Sequence, residues 1–365
     1  MPAPVTSGTT RPASAPDAPA SRPAPRRVPR PRRTTGLRRA SGLLLALALL
    51  AVAVLLSLGV GAQGIDPLTV LRALWENDGS DAHAIVRDSR LPRTLVGLVV
   101  GPALGVCGAL IQAYTRNPLA DPGILGVNAG ATFAVTMGVG FLGLSAPSAY
   151  VWLSFGGALI VTGAVTLIGL RGPGRQMPER MTLTGVAVAA VLSGVGSIIV
   201  MKNLELFNRV RFWGLGSLGG RDPEALATIA PLIAIGLILA LGLAGSLNVL
   251  ALGDDLGSTL GARILRTRLL SVLAVTILAG AATAIAGPIA FLGLMVPHTV
   301  RWFTGPDQRW IIPGSMILAP ALLLGADVLG RIILPSGELQ VSLMTALVGA
   351  PVLMLLARRR RASGL

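Results

Sequence analysis

The sequence predicts an all-α polytopic membrane protein with ten transmembrane helices, on three observations. Of its 365 residues 52% are hydrophobic and only 13% charged, with a mean hydropathy of +0.72, a balance too apolar for a soluble domain. Uncharged runs that approach the ~20 residues needed to cross a bilayer recur along the chain. Arginines gather between those runs and assign them sides.

Taken in order, residues 1–42 read as a disordered, basic, Pro/Arg-rich cytoplasmic tail. Nine arginines and nine prolines stand against one acid, Asp17, within residues 1–40. Such a tail is expected to lie near an anionic leaflet rather than to act as a specific binding arm, so the net charge of +15 does not imply a nucleic-acid partner. The run 43–65 lacks a convincing cleavage site and is kept as the first span. The runs 94–115, 181–201, 225–253, 310–326 and 339–357 each give one span. The run 122–170 is about twice a span long and is broken at Ser145-Ala146-Pro147-Ser148, so it gives two. Residues 269–300 divide into two with a break near Gly287-Pro288, because an arginine-rich tail at each end, both expected inside, requires an even total. The ten-helix apolar domain is therefore 43–357, followed by a basic cytoplasmic C-terminal tail at 358–365. Cys107, the single cysteine, excludes an intramolecular disulfide.

Loops not used to build this topology test it. Arg171, Arg175 and Arg180, then Arg263, Arg266 and Arg268, then Arg301 and Arg309, fall inside as expected. Arg87, Arg90 and Arg93, the group at Lys202, Arg209, Arg211 and Arg221, and Arg331 fall outside, against the usual bias. Two explanations stand side by side. Local carboxylates could neutralise them: Asp88 is adjacent to Arg87, and Asp327 precedes Arg331 by four residues on one helix face. Alternatively, their guanidinium forks could meet carboxylates of an external protein or an anionic substrate.

On the opposite side, "LGDDLGSTLGARILR", residues 252–266, is too polar to span. Leu252, Leu256 and Leu260 recur every four residues beside Gly253, Gly257 and Gly261, which predicts a short helix with an apolar ridge and a flat glycine stripe. It is either an interfacial helix or a helix inserted into a groove on a cytosolic partner, with Asp254 and Asp255 near its N-terminus. The chain carries no energy source of its own: its only lysine, Lys202, follows no glycine-rich phosphate loop. Runs 122–170 and 269–297 lack the carboxylates of a proton relay. No catalytic residue and no metal site is expected, with His83 and His298 the only histidines.

Gly97, Gly101 and Gly105, spaced by four, predict a smooth helix face that admits another backbone. Proline and glycine interruptions mark candidate hinges at Asn117, Pro118, Asp121 and Pro122, and at Gly287, Pro288 and Pro297.

These residues carry a family resemblance. "RLPRTLVGLVVGPALGVCGALIQAYTRNPLADPGILGVNAGA", residues 90–131, resembles the signature of the iron-chelate and vitamin B12 permeases, the FecCD-like transmembrane subunits of ABC importers. "FWGLGSLGG" at 212–220, "LALGDDLGSTLGA" at 250–262, "FLGLMVPHTVR" at 291–301 and "GADVLGRIILPSGEL" at 325–339 are similar to further family blocks in the same order. The resemblance runs from about residue 43 to 357. It implies ten spans, a second permease subunit (a second copy or a paralogue), two cytosolic ATPases that bind the ATP and Mg, and a substrate-binding lipoprotein outside. It implies that Arg90, Arg93 and Arg331 dock that lipoprotein, and that Leu252 to Ala262 form the ATPase coupling helix, with Gly253, Asp254 and Gly261 at its characteristic positions. Two departures stand out: Glu338-Leu339-Gln340-Val341-Ser342 where relatives read E-L-P-x-G, and Gly305-Pro306-Asp307-Gln308-Arg309 where they often read G-x-D-H-R. The expected role is a non-enzymatic permease of the bacterial cytoplasmic membrane, both termini inside, that takes up ferric siderophores. Cobalamin or haem as cargo, and an ion-coupled secondary transporter, are the alternatives.

Overall fold

An apolar segment in a bilayer has no water to satisfy its amides, so each run must close its hydrogen bonds internally as helix. The computed structural model describes residues 34–61, 63–76, 78–144, 147–171, 177–334 and 337–359, and these contain ten helices of 13 residues or more. They are α1 (Thr34–Gly59), α4 (Leu91–Thr115), α5 (Val127–Leu142), α6 (Pro147–Gly169), α7 (Met177–Met201), α9 (Pro223–Ala251), α11 (Ile264–Ala286), α12 (Leu292–Thr304), α13 (Gln308–Ile332) and α14 (Val341–Arg359). Seven are long and apolar enough by themselves to cross a membrane. The others, α5, α12 and α14, are shorter, so the count of ten spans is approximate.

Short elements fill the connections: α2 (Pro67–Trp75), α3 (Asp81–Ala84), a π-helical turn at Ile85–Arg90 running into α4, a 3-10 turn at Pro122–Leu125, α8 (Leu204–Gly214) and α10 (Asp254–Thr259). The α2 start is capped by Asp66, whose carboxylate accepts from the amides of Leu68 and Thr69 ahead of Pro67 at the first helical position.

One boundary differs from expectation. Helix α1 begins at Thr34, not near residue 43. Its early turns are anchored, because Arg38 donates to the carbonyl of Trp302 and Arg39 Nε to that of Thr304 at 3.0 Å, while the Arg39 guanidinium sits 5.3 Å from the Trp310 ring. Those are last-turn carbonyls of α12, which have no helical partner and attract cations. Only residues 1–33 of the expected tail, and 360–365 of the C-terminal one, lie outside the described residues. So do Ser145 and Ala146 of the break between α5 and α6.

The break after Ala286 falls where Gly287-Pro288 places it. Gly287 holds φ +77, and a Cβ there would lie 2.5 Å from the Trp213 carbonyl oxygen. Pro297, by contrast, breaks nothing: it lies within continuous α12. Lacking an N–H, it frees the carbonyl four residues back, that of Gly293. Gln112 Nε2 of α4 takes up that oxygen at 3.3 Å and the Leu294 oxygen at 3.1 Å, while Arg301 Nη1 donates to Gln112 Oε1 at 2.7 Å. A buried side-chain amide thus substitutes for the missing backbone donor, and α12 runs through Pro297 without a break.

Helices α4, α11 and α13 form the buried centre. The glycine face of α4 admits close neighbours: a Cβ on Gly101 would sit 2.5 Å from Pro320 Cα of α13, and one on Gly108 only 1.7 Å from the Gly293 oxygen of α12. Helices α1, α6, α7 and α9 turn most of their surface outward with residues such as Leu44, Ile160, Leu183 and Ile238 exposed, the arrangement a lipid surround requires.

Candidate functional site

Two clusters of charge sit at opposite ends of the bundle. At one end the π-helical turn and α4 bring Arg90 and Arg93 beside Asp327 and Arg331 on α13. All four are buried. Arg90 donates through Nη1 to the carbonyls of Leu58 at 2.9 Å and Gly59 at 2.7 Å, and through Nη2 to that of Gln63. Arg331 Nη1 reaches the carbonyls of Ser57 at 3.0 Å and Val60 at 3.1 Å, and its Nη2 lies 3.0 Å from Asp327 Oδ2. The buried Ser57 hydroxyl links the set, 3.2 Å from Arg331 Nη2 and 2.8 Å from Thr94 Oγ1, which itself donates to the Arg90 carbonyl. The carbonyls at the end of α1 are thereby covered by two guanidinium groups, that of Gly59 together with the Ile65 amide.

All three arginines expected to dock a partner are thus held inside this cluster. Arg90 and Arg331 are turned inward, where they donate to helix-terminal carbonyls and, for Arg331, pair with Asp327. The i,i+4 pairing of Asp327 with Arg331 is the one legible in the sequence.

Arg93 differs. Its Nε lies 3.7 Å from Asp327 Oδ1, while its fork meets Glu338 in the α13–α14 connection, Nη1 to Oε1 at 3.1 Å and Nη2 to Oε2. The guanidinium packs on Gly219, where a Cβ would be 2.2 Å from Nη2. The Glu338 side chain is 49% exposed, whereas that of Asp327 is 6% exposed. The Arg93 hydrogen bond holds the Glu338 carboxyl below the usual carboxylate range.

At the other end, α4 stops at Arg116, a non-glycine residue at φ +52. Its side chain accounts for that conformation: Nε donates to the Leu250 carbonyl at 3.0 Å, and Nη2 lies 2.5 Å from Asp254 Oδ1. Asp254 also receives Arg268 Nη2 of α11, at 2.9 and 3.1 Å. Helix α10 is shorter than predicted. Gly253 at φ +106 and Gly261 at φ +81 are turn residues that end the helices on either side, not a flat stripe. Gly257 alone faces inward, against Ile264 and Val249. Leu252, Leu256 and Leu260 are all exposed, as is Asp255, while Asp254 is spent on internal pairing.

The connection after α4 is tied by local turns. Leu119 N donates to Asn117 Oδ1 at 3.0 Å and Gly123 N to Asp121 Oδ1 at 2.8 Å, and Pro118 and Pro122 stop α4 and start the 3-10 turn. Glu338, Arg116, Arg268 and Gln112 escaped the sequence reading. An acid in the outermost loop was the available signal for Glu338. Among the described residues no group of His, Cys, Asp or Glu could hold a metal ion.

The chain is 48% identical over 308 residues to the ferric enterobactin transport system permease protein of Escherichia coli K12, covering 84% of this chain and 92% of that one. A probable siderophore transport system permease of Bacillus subtilis strain 168 is 41% identical, over 80% and 87%. The hemin transport system permease of Yersinia pestis is 36% identical, over 83% and 92%. Among solved structures, an inward-facing metal-chelate type ABC transporter superposes with a TM-score of 0.75 at 25% identity, covering 88% of this chain and 99% of that one. Residues 49–359 match the FecCD transport family, and the chain belongs to that family as a membrane-spanning permease of the ABC-importer type.

Proposed function

We propose that this permease carries ferric siderophores across the bacterial inner membrane, from an external binding lipoprotein to the cytoplasm. The observation that carries the reading is the 48% identity to a ferric enterobactin permease along nearly the whole of both chains. The hemin permease, at 36%, keeps haem as the second cargo.

In this reading two cytosolic ATPases bind the ATP and Mg and grip α10, and a second permease subunit completes the pathway. Three exposed leucines around α10 offer an apolar ridge for an ATPase groove. Asp254 ties α10 to the end of α4 through Arg116 and to α11 through Arg268. A push on α10 therefore reaches two central helices, which suits alternating access between two packed arrangements. At the opposite end the arginine cluster receives the lipoprotein, with Arg93 as the docking guanidinium. Among the described residues its only exposed ion-pair partner is the displaceable Glu338, and Arg90 and Arg331 hold the platform on which it sits. Both termini are cytoplasmic in this orientation.

Leu256→Glu is expected to abolish co-purification of the ATPase with the permease. Asp254→Asn is expected to keep the ATPase bound while ATP hydrolysis no longer drives uptake, a loss of at least tenfold in transport per ATP. Pull-down and uptake on the same membranes separate the two. Cargo is tested by uptake of radiolabelled ferric enterobactin, haem and cobalamin in cells with and without the gene, with ATP depleted while the membrane potential is held. ATP-dependent loss of iron uptake alone supports the siderophore reading. Uptake that survives ATP depletion and fails when the ion gradient collapses overturns it in favour of a secondary transporter.

A further inference from the structure

We propose that Glu338 is a built-in competitor for the external partner: it occupies the Arg93 fork in the undocked permease and is displaced when a carboxylate of the binding protein arrives. The inference rests on the docking reading for Arg93 and adds how that docking is regulated.

The geometry separates two carboxylates with different freedom. Asp327 is buried within α13, paired with Arg331 one turn on and flanked by Arg93. Nothing from solvent can take its place without unravelling the cluster. Glu338 stands in the irregular α13–α14 connection beside Gly337, which holds φ +86, and half its side chain is exposed. It makes the two-point contact by which a guanidinium recognises a carboxylate, the same contact an incoming Asp or Glu would make. Three guanidinium groups, on Arg90, Arg93 and Arg331, here face two carboxylates. One negative charge can therefore be exchanged for another while the cluster keeps its balance.

Exchange would also carry a signal. Leu339 N donates to the Gly330 carbonyl at 2.9 Å, and the connection leads into α14, whose Gly349 packs on Phe291 before α12. Releasing Glu338 removes one of the ties on the α13–α14 connection and leaves the Leu339–Gly330 bond, so occupancy of Arg93 is felt in the segment that leads to the last helix.

The test uses the full permease–ATPase complex in lipid nanodiscs, with the soluble form of its substrate-binding protein as titrant. Glu338→Gln and Glu338→Ala are expected to tighten docking about two- to fivefold, the scale of a partly exposed ion pair. Arg93→Gln and Arg93→Lys are expected to weaken it at least tenfold. In the Arg93 variants the gain from Glu338→Gln should vanish, since a competitor matters only where there is a site to compete for. Unchanged or weaker docking in both Glu338 variants overturns the exchange while leaving docking at Arg93 intact. Tightening that persists without Arg93 also overturns it, leaving long-range repulsion as the cause. Arg93 variants that assemble and dock normally remove the docking reading and the exchange with it. Should no Arg93 variant assemble, the Glu338 pair decides at raised salt, where long-range repulsion is screened: tightening that survives supports the exchange, and tightening that is absent or lost refutes it.

Discussion

Replacing Gly108 with alanine is expected to stop the permease from assembling, although alanine is the better helix former. A Cβ at this position would lie 1.7 Å from the Gly293 carbonyl oxygen, 2.4 Å from its carbon and 2.6 Å from its Cα. All three are backbone atoms, so no rotamer change relieves the overlap and α4 must part from α12. Parting the two also breaks the bonds from Gln112 to the carbonyls of Gly293 and Leu294, the first of which lost its own helical donor to Pro297. Overpacking of this kind costs about 3 kcal/mol or more, and the orphaned carbonyl adds to it. Gly194→Ala on α7 is the matched control, because nothing lies within 4 Å of a Cβ there. The yield of permease–ATPase complex after detergent extraction should collapse for the first variant and stay at the wild-type level for the second. Equal yields would show that α4 and α12 are not in contact in the membrane.

The second large effect is expected at Asp327. Changing it to asparagine leaves Arg93 and Arg331 buried on either side of a neutral group. Removing one partner of a buried ion pair typically costs about 3–5 kcal/mol, because the remaining charge stays desolvated. The apparent melting midpoint in detergent should fall by roughly 5–10 °C. Glu338→Gln removes an acid from the same cluster, yet it should move the midpoint only slightly, since water already reaches that carboxylate. Equal shifts for the two would mean that burial does not rank them as the structure does.

How much of this could be read from the chain depends on whether the physics is local. Hydropathy and arginine bias placed the helices, including the division after Ala286, because span length and the Gly287-Pro288 break are properties of neighbouring residues. The Asp327–Arg331 pair was legible for the same reason. The Arg93–Glu338 contact was not, because 245 positions separate its partners and nothing in either segment names the other. Gln112 is a similar case: a glutamine inside an apolar run gives notice of a polar duty, but only the fold shows that the duty lies beside Pro297. Helix α10 was found but drawn too long, since Gly253 and Gly261 fit a glycine stripe and a pair of turns equally well by spacing. The start of α1 was set too late because arginines were counted as tail, when Arg38 and Arg39 in fact pin the helix to α12. The short α2 had a readable start in Asp66-Pro67 that hydropathy alone passes over.

The acceptors that hold Arg90 and most of Arg331 are main-chain oxygens, at Ser57, Leu58, Gly59, Val60 and Gln63. A main-chain oxygen is the same whatever side chain it carries. Positions whose side chains take no other part could therefore change over many generations while the two arginines stay fixed, and a mutational scan should find broad tolerance at 60 and 63 beside near-invariance at 90 and 331, with Leu58 held apolar by Val70, Ala73 and Val86. Gly61 marks the limit of that freedom, since a Cβ there would come within 2.9 Å of Arg90 Nη2.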